Sequence, residues 1–154
     1  MGIQLPAVGP GVENDDESDD GPPAEIEYLD YRVVLHEGWS LDDPDLFEKA
    51  AAADLDEQYY GVIEGGRRDS LLRSAENNGL KWPFQCRSGT CAMCACVVTE
   101  GEAEMDMNLF LEDEEVDEMG LRLSCTCSPT SDRVRVVFNA IHMEYVADIA
   151  RNRG

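Results

Sequence analysis

The alternation of apolar and polar positions along the chain predicts four strands separated by helical segments. These strands are expected over residues 25–36, 59–64, 95–99 and 134–138. Residues Ile26, Tyr28, Val33 and Leu35 supply the apolar positions of the first strand. The pair Gly65-Gly66 interrupts the pattern after the second strand, because adjacent glycines disfavour regular structure.

Apolar residues at helical spacing predict three helices. Asp43 is expected to cap the first, with Pro44 at its first helical position. Asp69 is expected to cap the second, which Gly79 would end. The expected buried positions are Leu46, Phe47, Ala50 and Ala51 for the first helix, Leu71, Leu72 and Ala75 for the second, and Ile141, Tyr145 and Ile149 for the closing helix.

The composition divides the chain into a tail and one domain. Residues 1–24 combine glycine, proline and acidic residues with few large apolar groups, so they cannot bury enough surface to offset the entropy of ordering. We expect a disordered acidic tail over 1–24 and a folded domain over 25–154. Residues 37–58 form an acidic helical insertion within that domain.

The charge balance excludes several classes of function. The chain has 33 acidic and 12 basic residues and a net charge of −21. Nucleic acids and anionic membranes would repel such a surface, so partners are expected to present basic patches. No apolar run is long enough to cross a membrane, and the first basic residue is Arg32, so no secretory signal is visible. We expect a monomeric cytoplasmic protein.

The acidic bias extends beyond the tail into the globular part. In molar salt the Debye length falls to about 3 Å, so repulsion among surface carboxylates is largely screened. A salt-accumulating cytoplasm is the preferred explanation, and an acidic docking face is compatible with it. The fold is therefore expected to loosen at low salt.

The cysteines carry the candidate chemistry. Cys86, Cys91 and Cys94 are spaced four and then two residues apart, and Cys125 follows downstream. Thiolates are soft ligands, and four of them complete two tetrahedral irons bridged by two sulfides. Gly89 has no Cβ, so the loop can take a positive φ and close tightly. The pattern predicts a small iron-sulfur cluster and hence electron transfer.

Five short motifs strengthen this interpretation. They are Trp82-Pro83-Phe84, the Cys-Arg-x-Gly-x-Cys-x-x-Cys run from Cys86, Met105-Asp106-Met107, the Asp113-Glu114-Glu115-Val116 turn, and Ser124-Cys125 followed by Ser128-Pro129. On these motifs the chain resembles plant-type 2Fe-2S ferredoxins, and more closely those of extremely halophilic archaea, over nearly everything after residue 25. The resemblance implies an α+β, β-grasp (ubiquitin-like) fold. The helix-rich acidic insertion after the first strand departs from plant ferredoxins, which lack it.

The resemblance also implies the ligand set of one 2Fe-2S cluster: Cys86, Cys91, Cys94 and Cys125. In that family the fourth ligand lies four residues before a proline, which points to Cys125 rather than Cys127. Cys96 and Cys127 are then spare and are expected to pack as small apolar residues. Cys127 could instead exchange with Cys125.

A zinc site is the alternative use of these thiols. It would take Cys91, Cys94, Cys125 and Cys127, but it leaves Cys86 and the glycine of the loop unexplained. Structural disulfides are disfavoured, because nothing in the sequence indicates an oxidising compartment.

The implied function is that of a one-electron carrier rather than an enzyme. Plant-type ferredoxins have reduction potentials near roughly −400 mV, and the family suggests 2-oxoacid:ferredoxin oxidoreductase as an electron source. His36 and His142 are the only histidines and no nucleophile motif is present. The alternatives are an electron-input subunit of a larger oxygenase or dehydrogenase, and a cluster-based redox sensor. Trp82 and Phe84 are expected either to shield one edge of the cluster or to pack in the core.

Overall fold

The structure is a computed structural model that describes residues 22–82 and 93–153. Its strands are β1 (Ala24–Asp30), β2 (Tyr60–Gly65), β3 (Ala95–Glu100), β4 (Ala103–Met105), β5 (Leu121–Leu123), β6 (Cys127–Pro129) and β7 (Arg133–Phe138). Its helices are α1 (Tyr31–Glu37), α2 (Leu46–Ala52), α3 (Leu71–Asn77), α4 (Asp113–Asp117) and α5 (Glu144–Arg153), with a 3₁₀ turn over Ala140–His142.

Five of these strands form one mixed sheet in the order β2-β1-β7-β3-β5. The central pair, β1 and β7, is parallel, with Ile26 opposite Val134, and the other pairs are antiparallel. Strands β4 and β6 form a separate antiparallel pair. A mixed sheet with a parallel central pair and helices packed on it is the expected α+β, β-grasp class.

Apolar residues are buried on both faces of the sheet. One core cluster includes Leu29, Phe47 and Val97, and the other includes Leu71 and Val136. Neighbouring residues of β7 belong to different clusters, because side chains of a strand alternate between its faces. Helices therefore cover both faces of the sheet.

The first predicted strand is too long. Strand β1 ends at Asp30, and the following residues form helix α1. The fully buried Asp30 carboxylate accepts the Arg32 N–H at 2.9 Å and begins the helix, and Gly38, at φ +74°, ends it. Val34 is buried and Leu35 is 55% exposed, the reverse of the predicted alternation.

The predicted start of the insertion helix is also wrong. Helix α2 begins at Leu46, and Asp43 accepts a hydrogen bond from Lys49 Nζ at 2.6 Å instead of capping it. Leu46, Phe47 and Ala50 are buried as predicted, whereas Ala51 is exposed.

The second and closing helices differ in detail. Ser70 rather than Asp69 caps α3, and its hydroxyl accepts the Arg73 N–H at 3.0 Å. All three predicted buried residues of α3 are buried, and Gly79 follows the helix at φ +81°. In α5 the buried residues are Val146 and Ile149, while Tyr145 is 43% exposed.

The sequence pattern missed β4, β5 and β6, which have three residues each, and the single helical turn of α4. The expected disordered tail lies outside the described residues except for its last three positions, and Ala24 already belongs to β1. Within residues 22–82 and 93–153, no helix has the length and apolar character needed to cross a membrane.

Candidate iron-sulfur site

Two of the four expected ligands come together in the structure. The sulfur atoms of Cys94 and Cys125 lie 3.3 Å apart, although 31 positions separate the two residues in the chain. Cys86 and Cys91 belong to residues 83–92, outside the described part of the chain. The fold alone thus brings the third expected ligand next to the fourth.

Cys94 is placed by the start of strand β3. Its carbonyl oxygen accepts the Ser124 N–H at 3.0 Å, and the next pair along the ladder is Ala95 with Leu123. The Ser124 carbonyl in turn accepts the N–H of Leu72 at 3.0 Å, at the start of α3. Strand β3 therefore positions Cys94, and helix α3 positions Ser124, the residue before Cys125.

Cys125 lies in a tight turn between β5 and β6. The Thr126 N–H donates to the Leu123 carbonyl at 3.1 Å, and the Thr126 hydroxyl donates to the Met107 carbonyl at 2.7 Å. The Asp106 N–H donates back to the Thr126 carbonyl at 2.9 Å. The motif at 105–107 thus bonds to Thr126, the residue directly after the motif at 124–125, and fixes the Cys125 turn.

The donor set fits a thiolate-bound metal centre. Two thiolates bound to one tetrahedral ion by bonds of about 2.3 Å lie roughly 3.8 Å apart, close to the observed separation of the Cys94 and Cys125 sulfurs. The hydrogen bond with Cys125, followed by burial, raises the pKa of the Cys94 thiol far above its ordinary value. Both sulfurs can ionise together only beside a compensating cation, which iron bound at this position would supply.

Cys96 and Cys127 occupy a different environment. Both side chains are fully buried in the core cluster that contains Leu71 and Val136. Burial raises the pKa of the Cys127 thiol to about 12 and that of Cys96 well above its ordinary value. Both residues therefore behave as the small apolar core residues that the sequence predicts. Among the described residues no group of three or more His, Cys, Asp or Glu side chains converges on a metal position.

Trp82 packs in the core immediately before the cysteine-rich loop. Its ring stacks on Phe138 at 4.6 Å between centroids and meets Tyr28 edge-on at 6.1 Å. The buried indole Nε1 has no hydrogen-bond partner among the described residues. Core packing is thus the role that the structure shows for Trp82, while Phe84 lies outside the described residues. Both histidines are exposed.

The surface beside the Cys125 turn combines apolar and acidic groups. Leu109 is 72% exposed and Met107 is 46% exposed. The Asn108 side chain holds this loop, because its Oδ1 accepts the N–H groups of Phe110 and Leu111 at 3.1 and 2.8 Å. An adjoining groove of about 520 Å³ is lined by Glu102, Glu104, Asp113 and Asp117 together with Arg122.

Sequence reasoning missed Leu109 and Arg122. The exposure of Leu109 depends on the Asn108 hydrogen bonds, and Arg122 is one basic residue in a short strand that the pattern did not predict. The run from Met107 to Leu111 could have drawn attention to Leu109, because it places several apolar residues between acidic stretches.

Comparison with known proteins decides the family. Residues 61–130 match the model of the 2Fe-2S iron-sulfur cluster binding domain. Ferredoxin-1 of Haloarcula marismortui is 46% identical over 121 residues, which cover 79% of this chain and 94% of that protein. The chain belongs to the 2Fe-2S ferredoxin family. Ferredoxin-2 of the same organism is 40% identical over 124 residues, which cover 80% of this ferredoxin and 89% of the relative.

More distant comparisons agree with the fold. The ferredoxin reductase component of a 3-ketosteroid-9-alpha-monooxygenase from Mycobacterium tuberculosis is 37% identical over 98 residues, which are 64% of this chain but 27% of that protein. The solved structure of pectocin M2 superposes with a TM-score of 0.54 at 18% identity, over 77% of this chain and 34% of that one. The β-grasp class expected from the sequence is confirmed.

The family assignment identifies the cofactor and the general role. This ferredoxin takes one 2Fe-2S cluster and carries electrons, and it is not itself an enzyme. The cluster exchanges single electrons with redox partner enzymes.

Proposed function

We propose that this ferredoxin is a monomeric, cytoplasmic, low-potential one-electron carrier whose 2Fe-2S cluster is held by Cys86, Cys91, Cys94 and Cys125. The observation that carries the proposal is the 3.3 Å separation of the Cys94 and Cys125 sulfurs. It supports Cys125 as the fourth ligand, because Cys127 is fully buried in an apolar cluster.

The protein surface supports redox enzymes with basic docking patches as partners. The net charge is −21, and carboxylates line the groove beside the Cys125 turn. A complementary basic surface would be steered toward this side of the molecule, which accelerates association more than it strengthens the final complex. A 2-oxoacid:ferredoxin oxidoreductase with a basic patch is the partner that we propose as electron source.

The acidic surface also supports the cytoplasmic location. A net charge of −21 on 154 residues is best tolerated where concentrated salt screens the carboxylates. We extend the proposal to the domain organisation: an acidic tail over 1–24, except that Ala24 already begins β1, a ferredoxin domain over 25–154, and the insertion at 37–58 as part of that domain. Limited proteolysis tests this division, which predicts early cleavage within the tail and none within the insertion.

A second candidate is the electron-input component of a larger oxygenase. The similarity to the mycobacterial reductase component favours it, since part of that longer protein matches this chain. Purification from native cells distinguishes the two. A stable complex with a flavin-containing or catalytic subunit would favour the oxygenase component, and a monomer by size exclusion favours the free carrier.

Electron paramagnetic resonance on the anaerobic protein in concentrated KCl tests the main proposal. The oxidised protein should be silent, and dithionite should produce a rhombic signal that integrates to one electron per chain. Iron and acid-labile sulfide, counted in the same sample, should each reach two per chain. Zinc without sulfide would contradict the proposal.

A further inference from the structure

Leu109 has the largest exposed fraction, 72%, among the large apolar side chains that the structure describes. Met107, two positions earlier, is 46% exposed. Single apolar residues are common on protein surfaces, so exposure alone does not identify a binding surface. Three further observations on the loop that carries these two residues give their exposure a meaning.

The first observation is that the loop is held rigidly. Asn108 Oδ1 accepts the N–H groups of Phe110 and Leu111 at 3.1 and 2.8 Å, and Asn108 Nδ2 donates to the Leu111 carbonyl at 3.0 Å. Phe110 and Leu111 are buried in the core and anchor the loop there. Leu109 thus stands between an anchored asparagine and a buried phenylalanine, so its backbone loses little freedom when a partner covers it.

The second observation is that the loop is bonded to the turn of an expected cluster ligand. The Thr126 hydroxyl donates to the Met107 carbonyl at 2.7 Å. Thr126 directly follows Cys125, whose sulfur lies 3.3 Å from that of Cys94. A protein that covers Met107 and Leu109 therefore lies beside the turn that carries one of the paired sulfurs.

The third observation is the charge around the loop. Asn108, the residue before Leu109, lines the acidic groove together with four exposed carboxylates and one arginine: Glu102, Glu104, Asp113, Asp117 and Arg122. Basic groups on a partner would complement this border. In molar salt the Debye length is about 3 Å, so the carboxylates attract a partner only at short range. Apolar contacts do not depend on that attraction, so they should supply most of the binding energy in such a solution.

We propose that Leu109, with Met107 beside it, is the main contact for the redox partner, and that Leu109 inserts into an apolar recess surrounded by basic residues on the partner enzyme. The inference rests on the proposed function and adds the contact by which the partner binds. In protein interfaces a few central residues within a polar rim supply most of the binding energy. A second copy of this chain is a poor occupant, because it would bring like-charged carboxylates together.

The test compares Leu109→Ser with the unchanged protein as electron acceptors of a purified 2-oxoacid:ferredoxin oxidoreductase from an extremely halophilic archaeon, in molar KCl. The KM for the ferredoxin should rise by about five- to thirtyfold. The kcat, the reduction potential and the melting temperature should stay unchanged, because the Leu109 side chain is exposed. Leu109→Met should keep the original KM, because methionine is apolar and of similar size. An unchanged KM in Leu109→Ser would overturn the inference.

Val62→Ser is the matched control. Val62 is 53% exposed, but it lies on β2, at the edge of the sheet opposite to β5. Its KM should equal that of the unchanged protein, and an equal rise in the two serine variants would contradict a specific role of Leu109. Glu104→Gln removes one carboxylate of the groove and should change KM little in molar KCl. A larger effect of Glu104→Gln than of Leu109→Ser would show that charge dominates and would also overturn the inference.

Failure of the proposed electron source is distinguishable from failure of this inference. If the oxidoreductase does not reduce the unchanged ferredoxin, the proposed source is wrong, and cytochrome c, a basic redox protein, then serves as acceptor for the dithionite-reduced ferredoxin. The second-order rate constant should fall in Leu109→Ser but not in Val62→Ser, and equal rate constants would overturn the inference. Size exclusion tests the other occupant: a dimer of the unchanged protein that Leu109→Ser converts to a monomer would assign this surface to a second copy instead.

Discussion

Arg135 donates a hydrogen bond from Nε to Glu27 at 2.8 Å across the parallel pair of strands at the centre of the sheet. The Glu27 side chain is only 6% exposed and also accepts from Tyr60 at 2.6 Å and from Arg133 at 3.1 Å. The Arg135 guanidinium group lies over the Phe47 ring of α2 at 5.2 Å. One carboxylate thus joins β1, β2 and β7, and its arginine extends the connection to the insertion.

Glu27→Gln should lower the free energy of unfolding by about 1–3 kcal/mol, because it leaves two arginines without their nearly buried counter-charge. The loss of stability should be smaller than for a fully buried ion pair, because the Arg133 side chain is 51% exposed and solvent screens its charge. Urea unfolding in concentrated KCl measures the change. Glu64→Gln, on the exposed face of β2, is the control and should change stability by less than about 0.5 kcal/mol. Equal losses in the two variants would contradict the assigned role of Glu27.

Tyr60 should make the fold sensitive to alkaline pH. Burial, followed by the hydrogen bond to Glu27, raises the pKa of Tyr60 to about 12 from its ordinary value of 10.0. The folded state therefore holds a proton that the unfolded state releases, so this contribution is complete below pH 10 and is lost as pH rises toward 12. Melting temperatures between pH 9 and pH 12 should fall less steeply in Tyr60→Phe. An unchanged slope in that variant would show that Tyr60 does not titrate in this range.

Local chemistry explains where prediction from the sequence succeeded. The cysteine spacing and the glycine of the loop identify the cofactor without any tertiary information, because most of the expected ligands lie in one short segment. The buried residues of α3 were also predictable, since three apolar residues repeat at helical spacing.

Tertiary contacts explain where prediction from the sequence failed. The boundary between β1 and α1 depends on buried Asp30, which accepts Asn139 Nδ2 at 3.0 Å from 109 residues away. Asp43 was expected to cap α2, but Lys49 competes successfully for its carboxylate. The proximity of Cys125 to Cys94 follows from the pairing of β5 with β3, and a strand of three residues has too little periodicity to be recognised.

Cys125→Ser should lose most of its cluster, whereas Cys127→Ser should retain two irons per chain. The first change removes one member of the close sulfur pair, and the second removes a thiol that is buried in apolar surroundings. Iron and sulfide counts with visible absorption measure both outcomes. Cys127→Ser should still lose about 1–3 kcal/mol of stability, because it places a hydroxyl group in a fully buried position.

Cys96→Ser is the control for this comparison, because Cys96 is equally buried and shares the same core cluster. It should resemble Cys127→Ser in both cluster content and stability. Equal cluster loss in Cys125→Ser and Cys127→Ser would remove the basis for choosing Cys125 as the fourth ligand.

Dilution from molar KCl into low-salt buffer should lower the melting temperature of this ferredoxin. Its charge of −21 is screened when the Debye length is about 3 Å and is unscreened when that length reaches about 30 Å. Thermal melts in a series from about 10 mM to about 3 M KCl measure the effect, because the Debye length changes strongly over this range. Sucrose at matched osmolality separates screening from general exclusion of solute, since it should recover only part of the lost stability. A melting temperature that is constant across the KCl series would contradict adaptation to a salt-rich cytoplasm. Partner docking would then be the remaining explanation for the excess of acidic residues.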